Sequence, residues 1–190
     1  MKMKNNPAPV LIRRTLLELL KERPYQSITM GDIAGADYIG RRTCYRYYRS
    51  KDEIMKSIVD ELMDEYAEVM LDPEFKSFED AALAHFQFFE RKSGVVMQMM
   101  DTHTLHFLEE RFHGSVMNIA YCAKYGTMEI SPEELERIEQ SADHYEFTFK
   151  MAGFWQMTML WLRQGMRFTP KEMLELTKSN LTRMREELYF

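Results

Sequence analysis

The chain has 190 residues, 45% hydrophobic and 29% charged, the balance of a globular protein that buries a core and not of a disordered one. Its two cysteines, Cys44 and Cys122, lack C-x-x-C spacing, which argues against a disulfide framework or a thiolate zinc site. The longest uncharged stretch near the C-terminus, Met151 to Leu162, is 12 residues, short of the roughly 20 that a spanning helix needs. Arg13 and Arg14 interrupt the apolar run that a secretory signal would show, so a cytoplasmic protein with no membrane partner is expected.

The net charge of −5 hides an asymmetry. Residues 1–51 hold 11 Lys and Arg against 4 Asp and Glu, and the rest of the chain holds 14 against 26. A basic N-terminal quarter on an acidic body can hold a polyanion at one end while the remainder repels it.

Eight Gly and six Pro are few for this length and favour long helices. The first helix is predicted over about Ala8–Glu22, with Val10, Leu11, Leu16, Leu17, Leu19 and Leu20 on its apolar face and Arg13, Arg14, Glu18 and Lys21 on the other. Pro24 stops it. Thr29 and Asp32 resemble a capping box that opens a second helix, about Met30–Ala36, with Ile33 and Ala34 facing inward. The pattern breaks at Asp37-Tyr38-Ile39-Gly40 and restarts as a third helix, about Arg41–Tyr48. There Cys44 and Tyr48, four apart and following Ile39, form a buried seam, which leaves Arg41, Arg42, Tyr45 and Arg46 outward and Tyr47 near the boundary. Ser50 caps a fourth helix whose period is Ile54, Ile58, Leu62 and Tyr66, and Asp72-Pro73 forbids its continuation past about Met70.

The remainder is helical throughout. Helices are predicted at about Phe75–Lys92, Val95–Met100 and Thr102–Tyr125, the last with a candidate break at Gly114. Ser131-Pro132-Glu133-Glu134 starts a helix read as running to about Gln164, with Gly165 as its cap. Thr169-Pro170-Lys171-Glu172 starts the last, which reaches the C-terminus. No alternating strand pattern occurs. The chain is therefore read as all-α with about nine helices. Two domains are expected: a three-helix helix-turn-helix domain over 6–68, its motif at about 29–48, and a helical regulatory domain over 72–190.

Two short helices joined by a tight turn, the second basic and aromatic, suit the DNA major groove. Thr29 and Lys51, each at a helix N-terminus, are candidate phosphate anchors. Arg41, Arg42 and Thr43 lie at the front of the third helix, where base edges are met. Tyr45 and Tyr47 can place hydroxyls on phosphates, and Arg46 and Arg49 add charge. The alternative is a solvated helix whose arginines merely face water. Five cations in the eleven residues Arg41–Lys51, with no acid among them, weigh against that.

The segment Ile28-Thr29-Met30-x-Asp32-Ile33-Ala34, Ile39, Thr43-Cys44-Tyr45-x-Tyr47-Tyr48 and Ser50-Lys51-Asp52-Glu53-Ile54 resembles the N-terminal domain of the TetR family of bacterial transcription regulators, over about residues 8–66. The resemblance implies a homodimer on a pseudo-palindromic double-stranded operator. It also implies a helical C-terminal half that senses a small-molecule effector and dimerises through its last two long helices. By position, Thr29, Tyr45, Tyr47 and Lys51 match phosphate-contacting residues, and Arg41, Arg42 and Thr43 match base-facing ones. The chain departs from the pattern at Tyr38, where the family usually has a small residue, often Gly, at Gly40, where it usually has a cap such as Ser, and at Gly35. In the C-terminal half, Ala152-Gly153, Trp161-Leu162, Gly165 and Pro170 resemble a subtype that includes regulators linked to dihydroxyacetone kinase operons.

The terminal pair of helices carries Phe147, Phe149, Met151, Phe154, Trp155, Met157, Met159, Leu160, Trp161, Leu162, Met173, Leu174, Leu176 and Leu181. This exceeds what one core-facing stripe needs and suits a dimer interface as well as a core. Met97, Met100, Phe107, Met117, Tyr121, Tyr145 and Phe149 are candidates to line an effector pocket, the plain alternative being ordinary core. His103 and His106, with Asp101, Glu109, Glu110 and His113 nearby, are read as solvated or hydrogen-bonded and not as a metal site. No catalytic triad, nucleotide loop or HExxH motif is present, so neither catalysis nor a cofactor is assigned. The expectation is a ligand-responsive TetR-like regulator acting as a repressor. The alternative is a helical protein–protein adaptor or co-regulator with reduced operator specificity.

Overall fold

The computed structural model describes residues 7–125 and 131–187, excepting the side chains of residues 120, 123–125, 143 and 181–187. Among the described residues there are ten α-helices and no strand: α1 (Pro7–Glu22), α2 (Met30–Ala36), α3 (Arg41–Tyr47), α4 (Lys51–Met70), α5 (Phe78–Arg91), α6 (Ser93–Asp101), α7 (Leu105–Tyr125), α8 (Pro132–Glu139), α9 (Ala142–Arg163) and α10 (Pro170–Glu187), with a 3-10 turn at Tyr25–Ser27 after α1. The chain forms two compact units. One comprises the residues up to Asp64 together with Val95–His113, the other Glu65–Gly94 together with the residues from Gly114 on. Charge composition changes at 70–75, whereas the bounds of the two units fall within α4 after Asp64 and within α7 after His113.

In the first unit, α1 buries Ile12, Leu16, Leu19 and Leu20. Two residues depart from the expected faces. Val10 is exposed. Arg13, assigned to the polar side, is largely covered, with its guanidinium donating to Tyr48 Oη (3.2 Å), Ser57 Oγ (3.4 Å) and Glu61 Oε1 (3.2 Å). The aliphatic stem of an arginine lets it cover apolar surface while its head finds polar partners. Helix α4 buries Ile54, Ile58 and Leu62 as its period requires. Val95–His113 joins this unit through the Gln98 side chain, which donates to the Leu17 carbonyl (2.7 Å), through Phe107 edge-on to Tyr25 (6.1 Å between ring centroids), and through the Arg111–Asp60 ion pair (2.7 Å).

In the second unit, α5 packs against α9 and α10, and α8 against α9. The expected helix over 131–164 is two helices. Ser131 and Glu134 form the predicted capping box and Pro132 opens α8, but the chain breaks at Gln140-Ser141 because Ser141 Oγ donates to the Ile138 carbonyl (2.6 Å) and its own backbone turns extended. A serine hydroxyl that bonds local backbone competes with helix propagation. By contrast α7 runs through Gly114 unbroken. The cap at Gly165 is a Schellman motif: φ is +73°, Met166 N–H donates to the Trp161 carbonyl (3.0 Å), and Gly165 N–H to the Leu162 carbonyl (2.9 Å). Thr169 and Glu172 cap α10 reciprocally, the Thr169 backbone donating to Glu172 Oε2 (2.7 Å). The side chain of Leu181 lies outside the described residues.

The core of this unit is aromatic. Tyr66, Phe86, Phe88, Phe89, Phe154, Trp155 and Trp161 are buried, with Tyr66 edge-on to Phe88 (5.2 Å) and Phe86 edge-on to Trp161 (5.8 Å), the arrangement the ring quadrupole favours. His85 sits among them. Thr158 Oγ1 donates to the Phe154 carbonyl (2.8 Å), so His85 Nε2–H donates to Thr158 (2.7 Å), and Nδ1 accepts from the Tyr66 hydroxyl (2.9 Å). This assignment requires a neutral ring. Burial enforces it, pushing the His85 pKa down to about 3.

An unfolded histidine titrates near 6.5. Between that value and about 3 the unfolded chain binds the proton and the folded one does not, so stability falls as pH drops below about 6.5, by up to about 1.4 kcal/mol per pH unit. Urea unfolding followed from pH 7 to 5 is expected to show this slope, and His85→Gln to flatten it. Parallel slopes for the two proteins would reject the assignment.

Candidate nucleic-acid interface

Helix α3 starts where expected but by an unusual route. Tyr38 adopts φ +53° and Gly40 φ +82° on either side of half-buried Ile39. The Gly40 N–H closes back on the Ala34 carbonyl (3.2 Å), and its own carbonyl accepts from Thr43 N and Cys44 N (3.1 Å each). No side chain caps α3, so the glycine replaces the hydroxyl cap of the family pattern with backbone geometry alone. The turn is anchored on α1, where the Thr15 hydroxyl is shared between the Leu11 carbonyl (2.8 Å) and the Asp37 carboxylate.

The buried seam of α3 is the predicted one. Cys44 is fully buried and Tyr48 nearly so, and the Tyr48 hydroxyl is held by Arg13 (3.2 Å) and Ser57 (3.1 Å). Burial pushes the Cys44 thiol pKa up, so it behaves as a small hydrophobe. The opposite side carries Arg41, Arg42, Tyr45 and Arg46, all exposed, Tyr45 by 55%. Thr43 and Tyr47 are half-buried. Arg46 lies over the Tyr47 ring (4.8 Å to the centroid) and donates to its hydroxyl (3.1 Å), which orients both. Arg41 folds over the start of α2: its Nη2 and Thr29 Oγ1 each lie 3.4 Å from where a Cβ on Gly31 would stand. Thr29, Gly31 and Arg41 are thus brought together.

Two of the predicted phosphate anchors already have partners. The Thr29 hydroxyl donates to Asp32 Oδ2 (2.6 Å) and accepts from Asp32 N–H (3.2 Å). The Thr29 hydroxyl and the Thr29 backbone N–H (2.8 Å) both donate to the Asp32 carboxylate and, with Arg23 nearby, hold it below the usual range. Lys51 donates to the carbonyls of Tyr25 (2.6 Å), Gln26 (3.2 Å) and Ile28 (2.8 Å) and sits over the Tyr25 ring (4.5 Å). An ammonium has three protons, and the three carbonyls match them. Tyr25 in turn donates to the Asp52 carboxylate, and burial with that carboxylate drives its phenol pKa far upward. Lys51 therefore ties α4 to the 3-10 turn that delivers Thr29. Sequence reading missed this knot and the Arg13 cluster, because both join residues more than twenty apart in the chain.

The seven pocket candidates fall into both units. Met97, Met100 and Phe107 belong to the first and Met117, Tyr121, Tyr145 and Phe149 to the second. Tyr121 is buried, its hydroxyl bonded to His144 Nδ1 (2.7 Å) and its ring edge-on to Phe147 (5.4 Å). Tyr145 and Phe149 are 74% and 63% exposed. His103 holds the left-handed position that ends α6, with φ +57° and Thr104 N–H donating to the Met99 carbonyl (2.9 Å). His113 Nδ1–H donates to the Glu109 carbonyl (2.9 Å). Among the described residues no three His, Cys, Asp or Glu side chains are grouped to hold a metal ion.

Replacing Lys51 by Met should leave three carbonyls without their donor and lower stability by about 1–2 kcal/mol. Urea unfolding measures this, and a change within about 0.5 kcal/mol, the ordinary surface value, would show that the knot contributes nothing.

Residues 12–58 match the family described as bacterial regulatory proteins, tetR family. A curated relative, the uncharacterized HTH-type transcriptional regulator YxbF of Bacillus subtilis (strain 168), is 31% identical over 65 residues. That stretch is 34% of this chain and 17% of the relative's length. Two solved structures share the fold: the fatty acid degradation regulator FadR from Bacillus halodurans (TM-score 0.61, 14% identity, 92% of this chain and 94% of the other) and the dihydroxyacetone kinase operon activator DhaS (TM-score 0.54, 15% identity, 93% and 95%). The family match is confined to the helix-turn-helix region, which is similar to the N-terminal domain of the tetR family of bacterial regulatory proteins, and the chain spans less than a fifth of the length of the curated relative it matches.

Proposed function

We propose that the protein is a ligand-responsive transcription repressor that acts in the cytoplasm as a homodimer on a pseudo-palindromic operator. The observation that carries this reading is the two-sidedness of α3: Cys44 and Tyr48 are seated in the fold while Arg41, Arg42, Tyr45 and Arg46 face solvent. In this reading Arg42 and Thr43 meet base edges, Arg41 and Arg46 flank them, Tyr45 and Tyr47 bond phosphates, and Thr29 and Lys51 shape the approach of α2 to the strand. A dimer places two recognition helices about one duplex turn apart, and a single half-site supplies too little discrimination. Exposed Tyr145, Phe149 and Leu160 on α9 and Leu176 on α10 support a dimer face on the last two long helices. The effector would bind within the second unit near Met117 and Tyr121, shifting the population of DNA-competent dimers.

A labelled duplex from the promoter beside its own gene is expected to bind more weakly as salt rises and more tightly than random DNA. Absence of salt-sensitive, selective binding would reject the reading. Arg42→Ala should cost about 1–3 kcal/mol and relax specificity at one position. An adaptor would keep its partner and its phenotype despite Arg42→Ala and Tyr45→Ala. Deleting the gene should raise expression of the adjacent genes, and a fall would reverse the sign of regulation. Leu160→Glu is expected to yield monomers in sedimentation velocity, since a charge at an apolar interface is left unpaired.

A further inference from the structure

Tyr38 is the most exposed large hydrophobic residue among those described, at 97%, and its backbone adopts φ +53°. Either fact alone is ordinary. Together they are not. Side chains with a Cβ avoid this conformation, and an aromatic ring in water returns nothing to the fold in exchange. Local structure imposes the geometry from both sides: Asp37 is tied to Thr15 on α1, Tyr38 N–H reaches the Gly35 carbonyl (3.4 Å), and Gly40 N–H the Ala34 carbonyl (3.2 Å). The turn is thus fixed whichever residue occupies position 38. Glycine would sit there without strain. Strain held in place by its surroundings, with no packing return, marks functional positions.

The position is informative too. Tyr38 stands two residues before Gly40, which caps α3, and three before Arg41. The segment that opens a recognition helix passes beside the sugar–phosphate strand at the edge of the major groove. A phenol there offers a neutral hydroxyl donor for a phosphate oxygen and a flat ring for the deoxyribose. On the reading of this protein as a DNA-binding regulator, we infer that Tyr38 is a positioning residue that contacts the operator backbone beside the recognition helix, and that the fold gives up stability to present it.

The test separates this from a purely structural role, in which stability and binding move together. Tyr38→Gly and Tyr38→Asn both suit a left-handed backbone. Both are expected to raise the melting temperature by about 2–4 °C. Both should also weaken binding to the labelled promoter duplex by about fivefold or more, to the same degree across operator variants. The slope of log affinity against log salt should stay at the parent value, because a neutral side chain releases no counterion. Tyr38→Phe should retain the parent's stability and lose part of the affinity. Parent-like affinity in both Tyr38→Gly and Tyr38→Asn, with Arg42→Ala weakened, would overturn this inference and leave the DNA-binding reading standing. If the parent binds no duplex, both fall.

Discussion

The seating of a seven-residue helix is the constraint on which the rest of the molecule depends. Helix α3 is too short to be stable alone. Its rigidity comes from one face: Cys44 packs without exposure, and Tyr48, at its C-cap, is gripped through its hydroxyl by Arg13 of α1 and Ser57 of α4. A tyrosine at that point supplies both apolar area and a polar tether. The guanidinium of Arg13 also holds Glu61 (3.1 Å), so three helices meet on one side chain. With that face fixed, the geometry of α3 leaves Arg42 and Tyr45 no orientation other than outward.

A basic surface is not the same as a free one. Lys51 and Thr29 lie within the charge-rich segment, yet the donors of both are engaged by the protein itself. They brace the turn that leads into α2, whereas Arg42 and Tyr45 stand exposed on α3. The distinction follows from hydrogen-bond chemistry: a connector that leaves an helix end and turns must satisfy its carbonyls, and the nearest cation does so. Counting cations by sequence therefore includes some whose donors the protein itself engages.

The second unit uses a polar residue differently. His85 is enclosed by aromatic rings, with Tyr66 and Thr158 satisfying its two nitrogens. Among the described residues no buried side-chain nitrogen or oxygen lacks a partner. Such a network fixes one tautomer and one packing arrangement, since any rotation strands a polar group in an apolar medium. The exposed aromatic residues of α9 lie on a helix that also carries buried Phe154, Trp155 and Trp161. One helix thus carries both core and outward apolar surface.

Periodicity and end signals alone determined the helical class, the span of α2 at Met30–Ala36, the start of α3 at Arg41 and its Cys44–Tyr48 seam, and the Thr29, Ser131 and Gly165 caps. These are interactions between residues no more than five apart, so local spacing contains them. Tertiary structure alone decided the break at Ser141, the burial of Arg13, the exposure of Val10 and the engagement of Lys51. It also decided which residues join the first unit from beyond α5. Each depends on a partner distant in the chain, or on a balance between a local hydrogen bond and propagation of a helix. A one-dimensional pattern records which residues are apolar, but not which distant carbonyl a cation will reach.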